Sequence, residues 1–313
     1  MTPRAPVVAV VGALALDEIQ TPAGAARDQL GGSCAYVAIA ASLLTPVEVI
    51  SVIGDDVPGD LLDPLRERGV GLSSVRTAAG ETFRWGCRYH DDWEQRDTLY
   101  TRTGVFSQVV IEPHASAQQA THLLLTAGQT DQNKRALTAC RQRRLTMLDT
   151  IEREVVDERA ILLGMLPHVD LLTLNEYEAG ILSGEPRASA TRQQALLAEA
   201  GAGKLLLKQG PRGADVLTDT LTQHVAAVAG CTLVDPTGAG DSFGGAALSA
   251  LARGAPLIDA VRWGCAVASF TIEGFGLQGL LRATRESVRE RASALGLSAT
   301  GWLESSARRE TPV

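Results

Sequence analysis

The chain has 313 residues, 45% of them hydrophobic and 21% charged, with 31 glycines and a formal charge of −7. Such a composition belongs to a packed globular protein with a full core and excludes a disordered or fibrous one. The acidic balance argues against nucleic acid as a partner, and the longest apolar runs fall far short of the roughly 20 residues that span a bilayer, so no membrane segment is expected.

In chain order, Val7–Val11 reads as a first buried strand, entered without the cleavage-site pattern of an export signal. Five widely spaced cysteines (Cys34, Cys87, Cys140, Cys231, Cys265) form no C-x-x-C pair, which fits reduced structural thiols and a cytoplasmic location. Further strands are predicted at Val47–Ile53, His122–Leu125, Leu145–Leu148, Leu171–Leu174, Lys204–Lys208 and Cys231–Val234. Helices are predicted over Ser33–Leu44, Asp60–Glu67, Lys134–Arg143, Ala188–Ala200, Ser242–Arg253, Leu257–Phe270 and Arg285–Leu295. Strands alternating with helices imply an α/β fold: three layers, α/β/α, around a mostly parallel sheet. Two segments, about 13–30 and 82–104, break this rhythm, and the second is rich in Arg, Tyr, Trp and Thr. Together they are predicted to form a small β lid, giving one domain over residues 1–297. The tail, 298–313, has weak periodicity and is expected to pack loosely.

The most informative stretch is Asp235-Pro-Thr-Gly-Ala-Gly-Asp241, where a turn through Thr237–Gly240 enters a helix at about Asp241. Free N–H groups at a helix start favour an anion, and glycines let the backbone approach it. Gly238, Ala239 and Gly240 are therefore suited to charge developing on a transferring phosphoryl group. Asp241, beside them, is suited to accept a proton from an attacking hydroxyl. An isolated G-A-G-D would as readily be a plain helix cap; the longer run favours chemistry. Gly240-Asp-Ser242-Phe-Gly244 also matches a hydrolase nucleophile elbow, but all five histidines precede Ser242, opposite to that fold's order. No P-loop motif is present.

The D-P-T-G-A-G-D run resembles the C-terminal signature of the ribokinase (PfkB-type carbohydrate kinase) family, and other family features follow in order over most of residues 7–295. The resemblance implies an ATP-dependent kinase with Asp241 as base, Gly238–Gly240 as anion hole, and Asp235 and Thr237 near a monovalent-cation (K⁺) site. It implies that Asn175 and Glu178, in Asn175-Glu-Tyr-Glu178, lie near the nucleotide phosphates, Glu178 organising Mg²⁺ through water. Lys208, Gly210 and Gly213 would approach ATP, with Thr237 and Cys265 bordering the nucleotide.

At the acceptor end, Leu30-Gly31-Gly32-Ser33 resembles the family's double-glycine motif, so Gly31 and Gly32 are expected against the acceptor, with Asp17 as the carboxylate for its hydroxyls. Tyr36 stands where many members carry a sugar-binding Asn, and Arg84 and Trp85, in the lid segment, are candidate contacts to the acceptor or to a dimer partner; packing is an equally good reading of Tyr36 and Trp85. With Arg84 as the only notable lid cation, an unphosphorylated sugar or polyol is the expected acceptor. A nucleoside kinase of the same family, or a non-catalytic sugar- or nucleotide-binding sensor, is the alternative. The family also implies a homodimer.

Overall fold

The computed structural model describes residues 7–93, 95–298 and 301–304. Thirteen strands are present among them: β1 (Val8–Val11), β2 (Ala15–Thr21), β3 (Gly24–Gly31), β4 (Val47–Gly54), β5 (Gly71–Ala78), β6 (Phe83–Tyr89), β7 (Arg96–Arg102), β8 (His122–Leu125), β9 (Leu145–Asp149), β10 (Leu171–Asn175), β11 (Leu205–Lys208), β12 (Ala214–Leu217) and β13 (Thr222–Val225). Nine form one sheet in the order β13-β12-β11-β10-β9-β8-β1-β4-β5. From β11 to β5 every pairing is parallel, and β12 and β13 close one edge antiparallel.

The apolar runs of the sequence become strands because helices cover both faces. Along β1, Val8 and Val10 enter one core and Ala9 and Val11 the other, as the two-residue period of a strand requires. The first core is completed by the helices Ser33–Ser42, Ala239–Ala252, Leu257–Thr271 and Arg285–Ala294. The second is completed by Thr130–Ala139, Glu152–Asp157, Arg159–Met165, Glu176–Ser183 and Ala190–Glu199. Gly245 lets two of these helices meet: a Cβ there would sit 2.6 Å from the Val37 carbonyl oxygen.

The segments at 13–30 and 82–104 do pair into a second sheet, ordered β3-β2-β6-β7. Its central pair, β2 and β6, is parallel, while β2–β3 and β6–β7 are antiparallel. At its root, the Thr82 hydroxyl accepts from the Gly54 N–H at 2.8 Å and donates to Asp56 at 2.7 Å. This ties the start of β6 to the end of β4. Among the described residues no helix is long and apolar enough to cross a membrane.

Several expectations need correction. Cys231–Val234 is not a strand: the Val234 and Asp235 N–H groups both donate to the Ile272 carbonyl, just past the end of a helix, and no neighbouring strand takes them. Strands β5, β12 and β13 lie outside the expected set, and β5 and β13 form the two edges of the sheet. The helix expected from Asp60 starts at Asp63, that expected from Lys134 starts at Thr130, and that expected at Asp241 starts at Ala239. Of the tail, 299–300 and 305–313 lie outside the described residues, but Gly301–Glu304 is a docked helical turn. Trp302 is buried edge-on against Trp263, ring centroids 5.7 Å apart, and the Arg253 guanidinium donates to the Trp302 and Leu303 carbonyls. Loose packing does not describe this turn.

Candidate active site

One cavity of about 1710 Å³ runs across the carboxyl ends of β1 and β8–β11, roofed by the four-stranded sheet. Sites for a single small ligand usually occupy about 300–1,000 Å³, so this one has room for two molecules side by side.

Gly238 caps the helix Ala239–Ala252 with φ +75°, a conformation that favours glycine. A side chain there would also collide with Tyr36, whose ring atoms lie 2.3–2.4 Å from the missing Cβ. Gly238, Ala239, Gly240 and Asp241 all line the cavity. Asp241 is pushed up to about 7 by burial first, then by the charges of Asp149 and Glu178, with Lys208 acting the other way. Ser242, the formal alternative nucleophile, is fully buried and accepts from the Thr271 hydroxyl at 2.9 Å. It cannot meet a substrate.

Asn175 and Glu178 form a capping box at the start of Glu176–Ser183: Asn175 Oδ1 accepts from the Glu178 N–H at 2.8 Å, and Glu178 Oε2 accepts from the Asn175 N–H at 2.9 Å. The N-x-x-E spacing thus fixes both side chains at the end of β10, where both line the cavity. Glu178 is pushed up to about 7, by burial first and then by Asp149, against the opposing Lys208. Lys208 Nζ donates to both oxygens of Asp149, at 2.7 and 3.0 Å; burial pushes the Asp149 carboxyl up, and the Lys208 ammonium opposes it. Farther along, Gly210, Gly213 and Cys265 line the cavity together with the apolar Val228, Cys231, Ala268 and Ile272. Asp235 lies behind the wall, fully buried, its oxygens accepting from the Thr237 and Gly276 N–H groups at 2.9 Å each. Thr237 lines the cavity and donates to the Tyr89 hydroxyl at 3.2 Å.

At the other end Asp17, on β2, is 3% exposed and accepts from the Gly32 N–H at 3.3 Å. Burial first, then Asp235 and Asp241, push it up to about 7, while the Gly32 bond opposes. Gly32 and Tyr36 line the cavity beside it, but Gly31 does not. Gly31 sits behind the carboxylate, where a Cβ would lie 1.8 Å from Asp17 Oδ2, so its role is to make room for Asp17. Arg84 also misses the cavity. Strand alternation sends Phe83 and Trp85 inward and Arg84 outward, where it pairs with Asp28, Asp56 and Glu81 at 3.3, 2.8 and 3.1 Å. The lid cation that does line the cavity is Arg96, 5.1 Å from the Trp85 ring centroid.

A sequence profile for pfkB family carbohydrate kinases matches residues 7–283. The chain belongs to that family. It is 26% identical over 275 residues to a cytidine kinase of Thermococcus kodakarensis, covering 85% of this chain and 96% of that one. Its fold superposes with a TM-score of 0.80, at 21% identity, on a putative ribokinase II from E. coli solved with ATP and Mg²⁺, over 92% of this chain and 99% of the other. A Burkholderia thailandensis nucleoside kinase solved with inosine superposes with a TM-score of 0.78 at 20% identity, over 92% and 97%.

The residues of this PfkB-family chain suit a metal-bound nucleotide in a specific way. Three carboxyl groups, the buried Asp149 and Glu178 and the half-buried Asp241, share the single ammonium of Lys208, a set in which acids outnumber the one cation. Yet among the described residues no three His, Cys, Asp or Glu side chains converge to hold a metal ion alone. A Mg²⁺ there would need phosphate oxygens and water to complete its shell, which is its habit. Asp149 was missed by motif reading. Its signal in the sequence is a lone carboxylate ending an apolar strand, Leu145-Thr-Met-Leu-Asp149, at the carboxyl end of the sheet where α/β folds bind ligands.

Proposed function

We propose that this PfkB-family kinase transfers the γ-phosphoryl group of ATP to a hydroxyl of a nucleoside. The observation that carries the kinase reading is the half-buried Asp241 at the glycine turn Gly238–Gly240, inside a cavity sized for two molecules. The acceptor hydroxyl gives its proton to Asp241 as its oxygen attacks the γ-phosphorus; the bond to the bridging oxygen breaks and ADP leaves. Backbone N–H groups of the turn face the charge on the phosphoryl oxygens. Lys208, held extended by Asp149, reaches the same turn, with its Nζ 3.3 Å from where a Gly240 Cβ would be. Mg²⁺, when bound with the nucleotide, neutralises phosphate charge. Asp17 accepts from hydroxyls at the far end of the acceptor.

The expected bare sugar or polyol rested on Arg84 being the notable lid cation. The inward face of the lid instead offers Phe83, Trp85 and Trp93, with Phe106 at its root. Flat rings suit a base stacked beyond the sugar, and the cytidine kinase relative and the inosine complex support the same class. The test is ADP release from ATP·Mg²⁺ with cytidine, inosine, ribose and myo-inositol. Turnover is expected with a nucleoside, and Asp241→Asn should lower kcat by roughly 10²- to 10⁴-fold. Turnover with ribose or inositol alone would restore the sugar reading; none with any acceptor would sink the kinase reading.

A further inference from the structure

The lid strand β6 is anchored at both ends, and the two anchorages differ in kind. At its start Thr82 ties it to the end of β4. At its far end, roughly 23 Å along an extended chain, it meets the segment that leads into the glycine turn: Thr237 Oγ1 donates to Tyr89 Oη at 3.2 Å. The same Thr237 hydroxyl lies against the Cys87 thiol, two residues earlier on the inward face of β6. From β2, the Thr21 hydroxyl donates to the Val234 carbonyl at 2.8 Å. On its other side the segment is fixed to the body through Asp235, whose oxygens accept from the Thr237 and Gly276 N–H groups. Residues 234–237 are thus clamped between lid and body, and the next residue, Gly238, is the cap from which the turn enters its helix. Between its two anchorages β6 presents Phe83 and Trp85 to the cavity.

We propose that Tyr89 is a positioning residue for phosphoryl transfer, holding the glycine turn Gly238–Gly240 to the lid through the Thr237 hydroxyl. This rests on the kinase reading of the cavity. An acceptor seated under Phe83 and Trp85 fixes β6, and β6 in turn fixes Thr237 and the glycines behind it. With the lid lifted, Thr237 Oγ1 loses its partner and the turn its outer support. The rate then depends on the acceptor being in place, since groups that stabilise a transferring phosphoryl charge act only when correctly placed. In this role the Tyr89 hydroxyl works on the turn and not on either ligand, so its loss should show in kcat and leave KM alone.

Tyr89→Phe keeps the ring and removes the hydroxyl; Thr237→Val removes its partner. With whichever of cytidine, inosine, ribose and myo-inositol turns over, kcat of Tyr89→Phe should fall roughly 5- to 30-fold. The KM values for acceptor and ATP should stay within about twofold of native. The double variant should be no slower than the slower single one, because both remove the same contact. An unchanged kcat, or a raised acceptor KM with kcat intact, would overturn the proposal. Losses that multiply in the double variant would do the same, assigning the effect to Arg96, whose guanidinium also meets the Tyr89 hydroxyl. Hydrogen–deuterium exchange reads the clamp without turnover: in ligand-free Tyr89→Phe the amides of residues 234–241 should exchange roughly tenfold faster, while β8, β9 and β10 keep their native rates. Native exchange at 234–241, or faster exchange in those strands as well, overturns the proposal whatever the ADP assay shows. If the native protein releases no ADP with any acceptor and exchange at 234–241 alone quickens, the kinase reading fails and the clamp on the turn stands.

Discussion

Asp241 gains its proposed role from burial as much as from identity. A carboxylate in water is a weak base at neutral pH; burial and two neighbouring carboxylates push this one up to about 7. A group with that value is protonated below it and competent above it. With a saturating nucleotide, kcat/KM for the acceptor should rise about tenfold per pH unit below 7 and level off above it. A flat profile between pH 5.5 and 8.5 would remove Asp241 as base. Asp241 and the glycines were legible because they are contiguous in D-P-T-G-A-G-D. Asp149 was not, because its partner Lys208 is 59 residues away in the chain. Arg84 and Trp85, both candidates, part for a local reason: in a strand, adjacent residues face opposite ways, and of the two only Trp85 lines the cavity.

At the scale of elements, the runs with unbroken apolar character were legible, since a strand buried on both faces needs little else. Polar edge strands such as β13, Thr-Gln-His-Val, lack that signal, and the Cys231–Val234 run mimicked it while bonding to Ile272 instead. The lid was legible as a break in rhythm, but its attachment was not. Thr82 carries that attachment, fully buried between Gly54 and Asp56. Thr82→Val keeps the shape and leaves the Gly54 N–H without its acceptor. It should cost about 1–3 kcal/mol in urea unfolding. It should also raise ATP hydrolysis without acceptor, since a loosened lid admits water. Unchanged stability and unchanged hydrolysis together would deny Thr82 this part.

For the whole molecule, the active end is bought against stability. Asp17, Glu154, Glu178 and Asp241 are each pushed up to about 7, burial being the first cause in every case. Folded, these groups hold protons more tightly than in the unfolded chain. Their contribution is therefore full below about pH 4 and is lost as pH rises through about 7. Buried His122, lowered to about 4 by burial first and then by Arg144, works in the opposite sense, favouring the fold above its unfolded value. Four carboxyls outweigh one imidazole, so the urea midpoint of the ligand-free protein should be lower at pH 8 than at pH 5.5. A midpoint equal or higher at pH 8 would contradict that balance.

If the proposed kinase takes ATP·Mg²⁺, the same carboxyl groups bear on which ionic form of the nucleotide the chamber admits. Asp17, Asp149, Glu178, Asp235 and Asp241 crowd in and around a cavity whose lining offers Lys208, Arg96 and Arg153 as counter-charges. A bare polyphosphate would enter against that field, which low-dielectric walls strengthen. One already masked by a divalent ion would not, so under the proposed function the cluster would filter nucleotides by charge before any reaction begins.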